Sequence, residues 1–272
     1  MWFNHPEKFE IRESNTEINV SVRQGINLRD YFQSRGRNVT KVMSMNEITL
    51  SESIKFQILS PNQKALNKFQ NDWEAKERQE IEKKQKRQIE IDVSSTSNDY
   101  NKSIDELIST PFNEDDEPYN GSSIAFILNV GGFQALFCAD AHPSIICESL
   151  EKLGYETTNP LKIDFLKVPH HGSKRNLSNE LLSVLDCQNF VFSANGINRD
   201  NLPNKETLAR IVKRISRNQE EKLYLYFNYD NQTLQSIRTS DEQKLYNFDC
   251  KYAQSNTNHL KINYNGNVLQ IE

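Results

Sequence analysis

Apolar residues fall into short, bounded runs along this chain, and their spacing changes character around residue 120. Near the start, "EINVSV" (17–22) alternates with period two and predicts a half-buried strand. After Gly25, "INLRDYFQSR" sets Ile26, Leu28, Tyr31 and Phe32 roughly along one face of a helix. "NEITL" (46–50) and "SIKFQIL" (53–59) predict two short strands, and "SPN" at 60–62 closes the second and opens a helix.

The pattern then thins. From Gln63 to about Ile91 good helix formers carry interleaved charges, which predicts a solvated helix. Its sparse apolar positions are Leu66, Phe69, Trp73, Ile81 and Ile89. The basic stretch "KKQKR" within it is flanked by glutamates and reads as a solvated face rather than a nucleic-acid patch. Residues 93–120 are polar and acidic with little period, and predict a flexible loop with a short helix at 102–108.

Order returns with "SSIAFILNV" (122–130), a "GG" turn and "FQALFCA" (133–139), which together predict a hairpin. A helix over 142–154 follows, with Pro143 in its first turn and Gly154 at its end. Strands are predicted at 162–168, 189–194 and 222–227, and helices at 177–185 (capped by Ser178) and 204–215. Weaker strand signals sit near 259–264 and 267–271. Strands alternating with helices predict an α/β architecture. No internal repeat is evident.

Composition narrows the class. With 272 residues, 36% of them hydrophobic, the chain can bury a core as one large or two small domains. Its formal charge of −4 gives no global attraction to nucleic acid or anionic lipid, though a local basic groove remains compatible with it. No apolar run reaches membrane-span length, and the N-terminus has no signal-peptide core. The cysteines Cys138, Cys147, Cys187 and Cys250 lack CxxC spacing and read as buried thiols. The expectation is a cytoplasmic protein without a membrane partner.

Two polar points interrupt the apolar second half, each at a strand end. Asp140 ends "FQALFCA", and His170–His171 end "IDFLKV" after Pro169. Open α/β sheets place ligands at strand ends, and a carboxylate with imidazoles there could converge on a divalent metal. Adjacent histidines on extended backbone point apart, so one would ligate and the other support it, with Gly172 allowing a sharp turn. The plainer readings are that Asp140 caps the helix near Pro143 and that the histidines form a hydrogen-bonded loop pair. His142 reads as a helix-start residue, and His5 and His259 as structural. GxGxxG, P-loop, GxSxG and HExxH patterns are absent.

These residues resemble a known family. "SSIAFILNVGGFQALFCADA" followed by "IDFLKVPHHGS" is similar to the second half of the metallo-β-lactamase fold hydrolases, closest to the branch with the competence-protein (ComEC-like) nuclease domain. "FSANGINRDNLPNKETLARI" resembles that branch's later loop and helix, and "FQILSPN" its strand before an insert. The likeness is strong over about 120–215, fair over 1–62, and absent in the insert and tail. It implies an αββα sandwich, a two-zinc site (Mn²⁺ being an alternative) and a phosphodiester substrate such as nucleic acid. It also implies Asp140 as the metal-bridging aspartate, His171 as the last histidine ligand, His170 as a neighbour shaping the site, and Ser173 and Lys174 in a rim loop.

The chain departs from the family in two places. The His-x-His-x-Asp-His element that supplies most ligands of the first metal is missing, and Leu202–Pro203 stands where the family tends to have His-Pro. The expectation is therefore a single domain incomplete at its N-terminus. Residues 1–62 would be a remnant of the first half, 63–120 an insert, and 121–272 the second half. The missing part would come from a segment upstream or a partner chain. The competing expectation is a metal-free, catalytically dead module that binds a protein partner through the charged helix at 63–91. A third is an unrelated α/β domain with coincidental motifs.

Overall fold

The computed structural model of the protein describes residues 31, 34–35, 41–83, 98–198, 200–214, 218, 220–254, 257–265 and 269–271. The strand expected over 17–22, most of the helix over 26–35 and the end of the charged helix past 83 lie outside the described residues.

In chain order, β1 (Glu47–Ser51) and β2 (Ile54–Ser60) pair antiparallel, and α1 (Gln63–Lys83) follows. Two short helices, α2 (Ile104–Ile108) and α3 (Pro118–Gly121), precede the hairpin of β3 (Ala125–Val130) and β4 (Phe133–Phe137). Its turn is Gly131–Gly132 at φ 56° and 92°, the left-handed pair that a two-residue hairpin turn favours and glycine adopts freely.

Helix α4 (Pro143–Lys152) then leads to β5 (Leu161–Lys162) and β6 (Phe165–Lys167). Helix α5 (Asn179–Ser183) leads to β7 (Leu185–Asp186) and β8 (Asn189–Phe192), and α6 (Lys205–Lys213) to β9 (Leu223–Phe227). The short helices α7 (Gln232–Gln235) and α8 (Ser240–Leu245) lead to β10 (Phe248–Tyr252), and β11 (Ile262–Tyr264) pairs with β12 (Leu269–Ile271).

The main sheet has eight strands in the order β1-β2-β3-β4-β6-β8-β9-β10, antiparallel as far as β4 and parallel beyond it. β5 and β7 form a separate parallel pair. Parallel neighbours need a crossover, and each crossover here carries a helix. The architecture is mixed α/β.

Strand alternation sends successive side chains to two different cores. Leu136, Leu166, Phe190, Phe192, Leu225 and Phe227 pack with Ile146 and Leu150 of α4, Leu181 of α5 and Leu208 and Ile211 of α6. The opposite face carries Phe133, Ala135, Phe165, Val191 and Tyr226, against which Leu260, Tyr264, Leu269 and Ile271 pack. Each fully buried aliphatic or aromatic side chain contributes about 1.5–3 kcal/mol relative to exposure, so the helix-covered face dominates the stability. Beyond the β11–β12 hairpin, rings continue across the second face: Phe165–Phe137, Phe137–Phe126 and Phe126–Phe56 sit 5.5, 5.1 and 5.4 Å apart.

The acidic segment between α1 and β3 is bonded to the second half at point after point. Asp99 accepts from the Lys205 and Glu206 amides at 2.8 and 3.0 Å, closing the N-terminus of α6. The Tyr100 hydroxyl donates to the Pro203 carbonyl at 2.8 Å, and Ile104 and Leu107 join the main core. Glu114 accepts from the Ser144 amide and hydroxyl at 2.7 and 2.9 Å, so it is Glu114, not Asp140, that caps α4. Helix α1 docks through Phe69 and Trp73 on Tyr119, with Phe69 and Tyr119 ring centroids 5.5 Å apart.

Candidate functional site

The chain leaves β4 and β6, neighbouring parallel strands, through two turns that touch. Ala139, at φ 47°, starts the first turn and its carbonyl accepts from the His170 amide at 2.8 Å. The second is a 3₁₀ turn over His170–Gly172, with φ 43° at His170, 54° at His171 and 89° at Gly172. Adjacent histidines were expected on extended backbone and pointing apart. Both instead sit in the left-handed region, with ring centroids 6.4 Å apart. Left-handed non-glycine residues cost on the order of 1–3 kcal/mol each, and persist only where surrounding contacts impose them.

Those contacts are specific. His171 Nδ1–H donates to the Ser193 carbonyl at 2.5 Å at the end of β8. In the neutral ring that bond puts the proton on Nδ1 and the lone pair on Nε2, the arrangement in which a histidine commonly serves as a metal ligand or base. The Gly172 carbonyl accepts from the Asn204 amide at 3.0 Å and the Thr207 hydroxyl at 2.8 Å. A Cβ on Gly172 would stand 2.5 Å from Pro203 Cβ, so no larger residue fits.

His170 faces the acidic segment. Its Nδ1 lies 3.0 Å from Asn176 Oδ1 and 3.5 Å from Asp115 Oδ2; both neighbours are acceptors, so Nδ1 carries the proton. Asp115 is only 4% exposed. It accepts further bonds from Asn120 Nδ2 (2.7 Å), Asn176 Nδ2 (3.0 Å) and the Glu117 amide (3.1 Å). Burial works against ionisation of Asp115, but its hydrogen bonds with His170, Asn176, Glu117 and Asn120 outweigh it and hold the carboxyl well below the usual range. The hydrogen bond to Asp115 in turn raises the His170 pKa against burial, with Asp140 adding to the effect. Asn176 also donates to the Asp140 carbonyl at 3.1 Å, which ties both turns to the segment.

His170 lines two adjoining cavities of about 380 and 360 Å³. Asp115, Asn120, Lys174 and Asp200 wall the first, and His171, Ser193, Asn195 and Tyr229 the second, while Asp140 lines neither. The rim cations are already matched: Lys174 Nζ lies 3.4 Å from Glu206 and Arg175 Nη2 lies 2.6 Å from Asp116. Ser173 is buried, its hydroxyl accepting from the Arg175 amide at 3.2 Å. His142 sits under α3, its Nε2 3.1 Å from the Glu117 carbonyl.

No family model, curated protein or solved structure matches the chain.

The structure thus brings His170 and His171 to one cavity edge, with Asp140 on the touching turn. It adds Asp115, Asn120 and Asn176, which sequence reading missed. The one local hint, for Asp115, was that the four carboxylates in "NEDDE" had no helical or strand period to explain them. Among the described residues no group of three or more His, Cys, Asp or Glu side chains is disposed to hold a metal ion. His170 Nδ1 is committed to Asp115 and Asn176, so Asp140 and the two imidazole Nε2 atoms are the donors left. Catalytic zinc uses three protein ligands plus water, and the described residues do not by themselves fit a two-metal site.

Proposed function

We propose that this chain is the strand-end half of a metallo-β-lactamase-like hydrolase acting on phosphodiesters, and that the chain alone does not turn over. The observation that carries the reading is His171. It stands at a parallel strand end, its Nδ1 bound to the Ser193 carbonyl and its Nε2 left to a ligand, beside the turn that bears Asp140. Asp140 and His171 are the metal ligands in this reading, and His170 shapes the turn. In this reading the remaining ligands come from a segment upstream or a partner chain that covers the part of the second sheet face beyond the β11–β12 hairpin, completing an αββα sandwich. Zinc is the metal expected. The phosphodiester class rests on the resemblance, because the rim cations Lys174 and Arg175 are paired with carboxylates.

The reading is tested by joining a segment with the His-x-His-x-Asp-His element, read from coding DNA ahead of Met1 or found in a partner, to this chain. Bound zinc and hydrolysis of bis(p-nitrophenyl) phosphate are then measured. The joined protein is expected to hold two ions and turn over, with both lost in Asp140→Ala and His171→Ala. A joined protein that holds no zinc would sink the reading.

A second reading, a metal-free module that binds a protein partner, draws on the shortage of ligands among the described residues. It gains if Asp140→Ala and His171→Ala leave every metal and activity measurement unchanged.

A further inference from the structure

We propose that Asp115 is a positioning residue of the histidine turn. By fixing the His170 ring it holds the left-handed pair that presents His171, so the acidic segment is part of the site. The inference rests on the functional reading for its chemistry, but its test does not.

The turn needs an external hold on both rings, because the backbone of His170 and His171 lies at φ 43° and 54°. The His171 ring is held by Ser193. The His170 ring is held by Asn176 and Asp115. Asn176 cannot orient itself: its amide points its oxygen at His170 because its nitrogen donates to Asp115 Oδ2 at 3.0 Å and to the Asp140 carbonyl. Asp115 therefore sets the rotamers of both neighbours.

Asp115 is itself immobilised. Its amide donates to the Arg175 carbonyl at 3.0 Å, and its carboxylate accepts from Asn120 and from the Glu117 amide. A plain loop staple would need only the Oδ1 bond to Glu117. The second oxygen instead joins the segment to the turn: it accepts from Asn120 at 2.7 Å and from Asn176 at 3.0 Å and lies 3.5 Å from His170 Nδ1, and burying a carboxylate is costly unless such partners are held in place. The neighbouring Glu114 shows the plain case, since it anchors the same segment to α4 without touching the turn.

Proton NMR of the ¹⁵N-histidine-labelled chain reads the outcome. In the wild type the exchange rate of the His171 Nδ1–H, bonded to the Ser193 carbonyl on an exposed ring, is the reference. In Asp115→Ala that exchange should accelerate about tenfold or more, while Glu114→Ala leaves it within about twofold although it loosens the same segment. Unchanged protection in a folded Asp115→Ala protein, or an equal loss in Glu114→Ala, overturns the proposal. If Asp115→Ala does not fold, Asp115→Asn of the same size is read in the same way. A joined protein that fails to hydrolyse phosphodiesters while Asp115→Ala still loses His171 protection would refute the functional reading alone. The converse result would refute this one alone.

Discussion

Asp99 and Glu206 meet where a helix begins: one Asp99 oxygen accepts from the Glu206 amide at 3.0 Å while the other takes the Lys205 amide at 2.8 Å. The helix's own N-cap residue, Asn204, cannot do this, because its side chain is spent on the Lys174 amide at 2.9 Å. A residue from the distant acidic segment therefore satisfies the orphan donors of α6. Asp99→Ala should cost about 1–2 kcal/mol and Asp99→Asn less, in urea unfolding curves. A loss below about 0.3 kcal/mol in the alanine variant would show that the cap is not used in solution.

Gly172 stands at φ 89° with Pro203 pressed against the place a side chain would take. Gly172→Ala should destabilise by about 3 kcal/mol, from backbone strain together with the contact. Because Pro203 also receives the Tyr100 hydroxyl through its carbonyl, the damage should reach the acidic segment. Proteolysis that cuts near residue 100 faster in this variant than in wild type would record it.

Lys205, 3% exposed, holds Glu242 at 2.8 Å. Glu242 also closes the capping box of α8 with Thr239. Removing the acid leaves a buried ammonium without its partner, so Glu242→Ala should cost about 3–5 kcal/mol. Lys205→Met keeps the packing and removes the charge, and its loss should be clearly smaller. Equal losses would mean that the pair is not desolvated in solution.

Burial pushes the thiols of Cys138 and Cys187 up to about 12. Both stay protonated in the fold where the unfolded chain would ionise. Their contribution to stability is present below the ordinary thiol range and is lost as pH rises from there toward about 12. At about pH 8 a thiol reagent should leave both unmodified in the native protein and modify all four cysteines after denaturation. Rapid native modification of Cys138 would contradict its burial.

The elements with a strong local period were legible. "FQALF" alternates between two cores and forms β4, and Ser178 caps α5 as its position suggested, accepting from the Leu181 amide at 3.0 Å. "KIDFLKV" is not one strand. Asp164 exchanges 2.7 Å bonds with Gln134 through its amide and its carboxylate, which splits the run into β5 and β6. β10 was missed because "FDCKY" mixes polar and apolar residues without a clean period, and it is its parallel pairing with β9 that makes it a strand. Of the candidate site, the two polar strand ends could be read from sequence because charge there interrupts apolar runs. Asp115 and Asn176 could not, because they meet across 61 positions of chain, and Asn120 could not, because its bond to Asp115 five positions away follows no helical or strand period.

The docking of α1 has an optical consequence. Trp73 is buried beside Phe69 and Tyr119, and the residue after Tyr119 is Asn120, which holds Asp115. The chain has two tryptophans, Trp2 and Trp73, so a Trp2→Phe variant carries a single indole at this joint. Its emission would move to longer wavelength when the joint opens to water. The protein thus carries its own fluorescent gauge of whether the wall behind the histidine turn is in place.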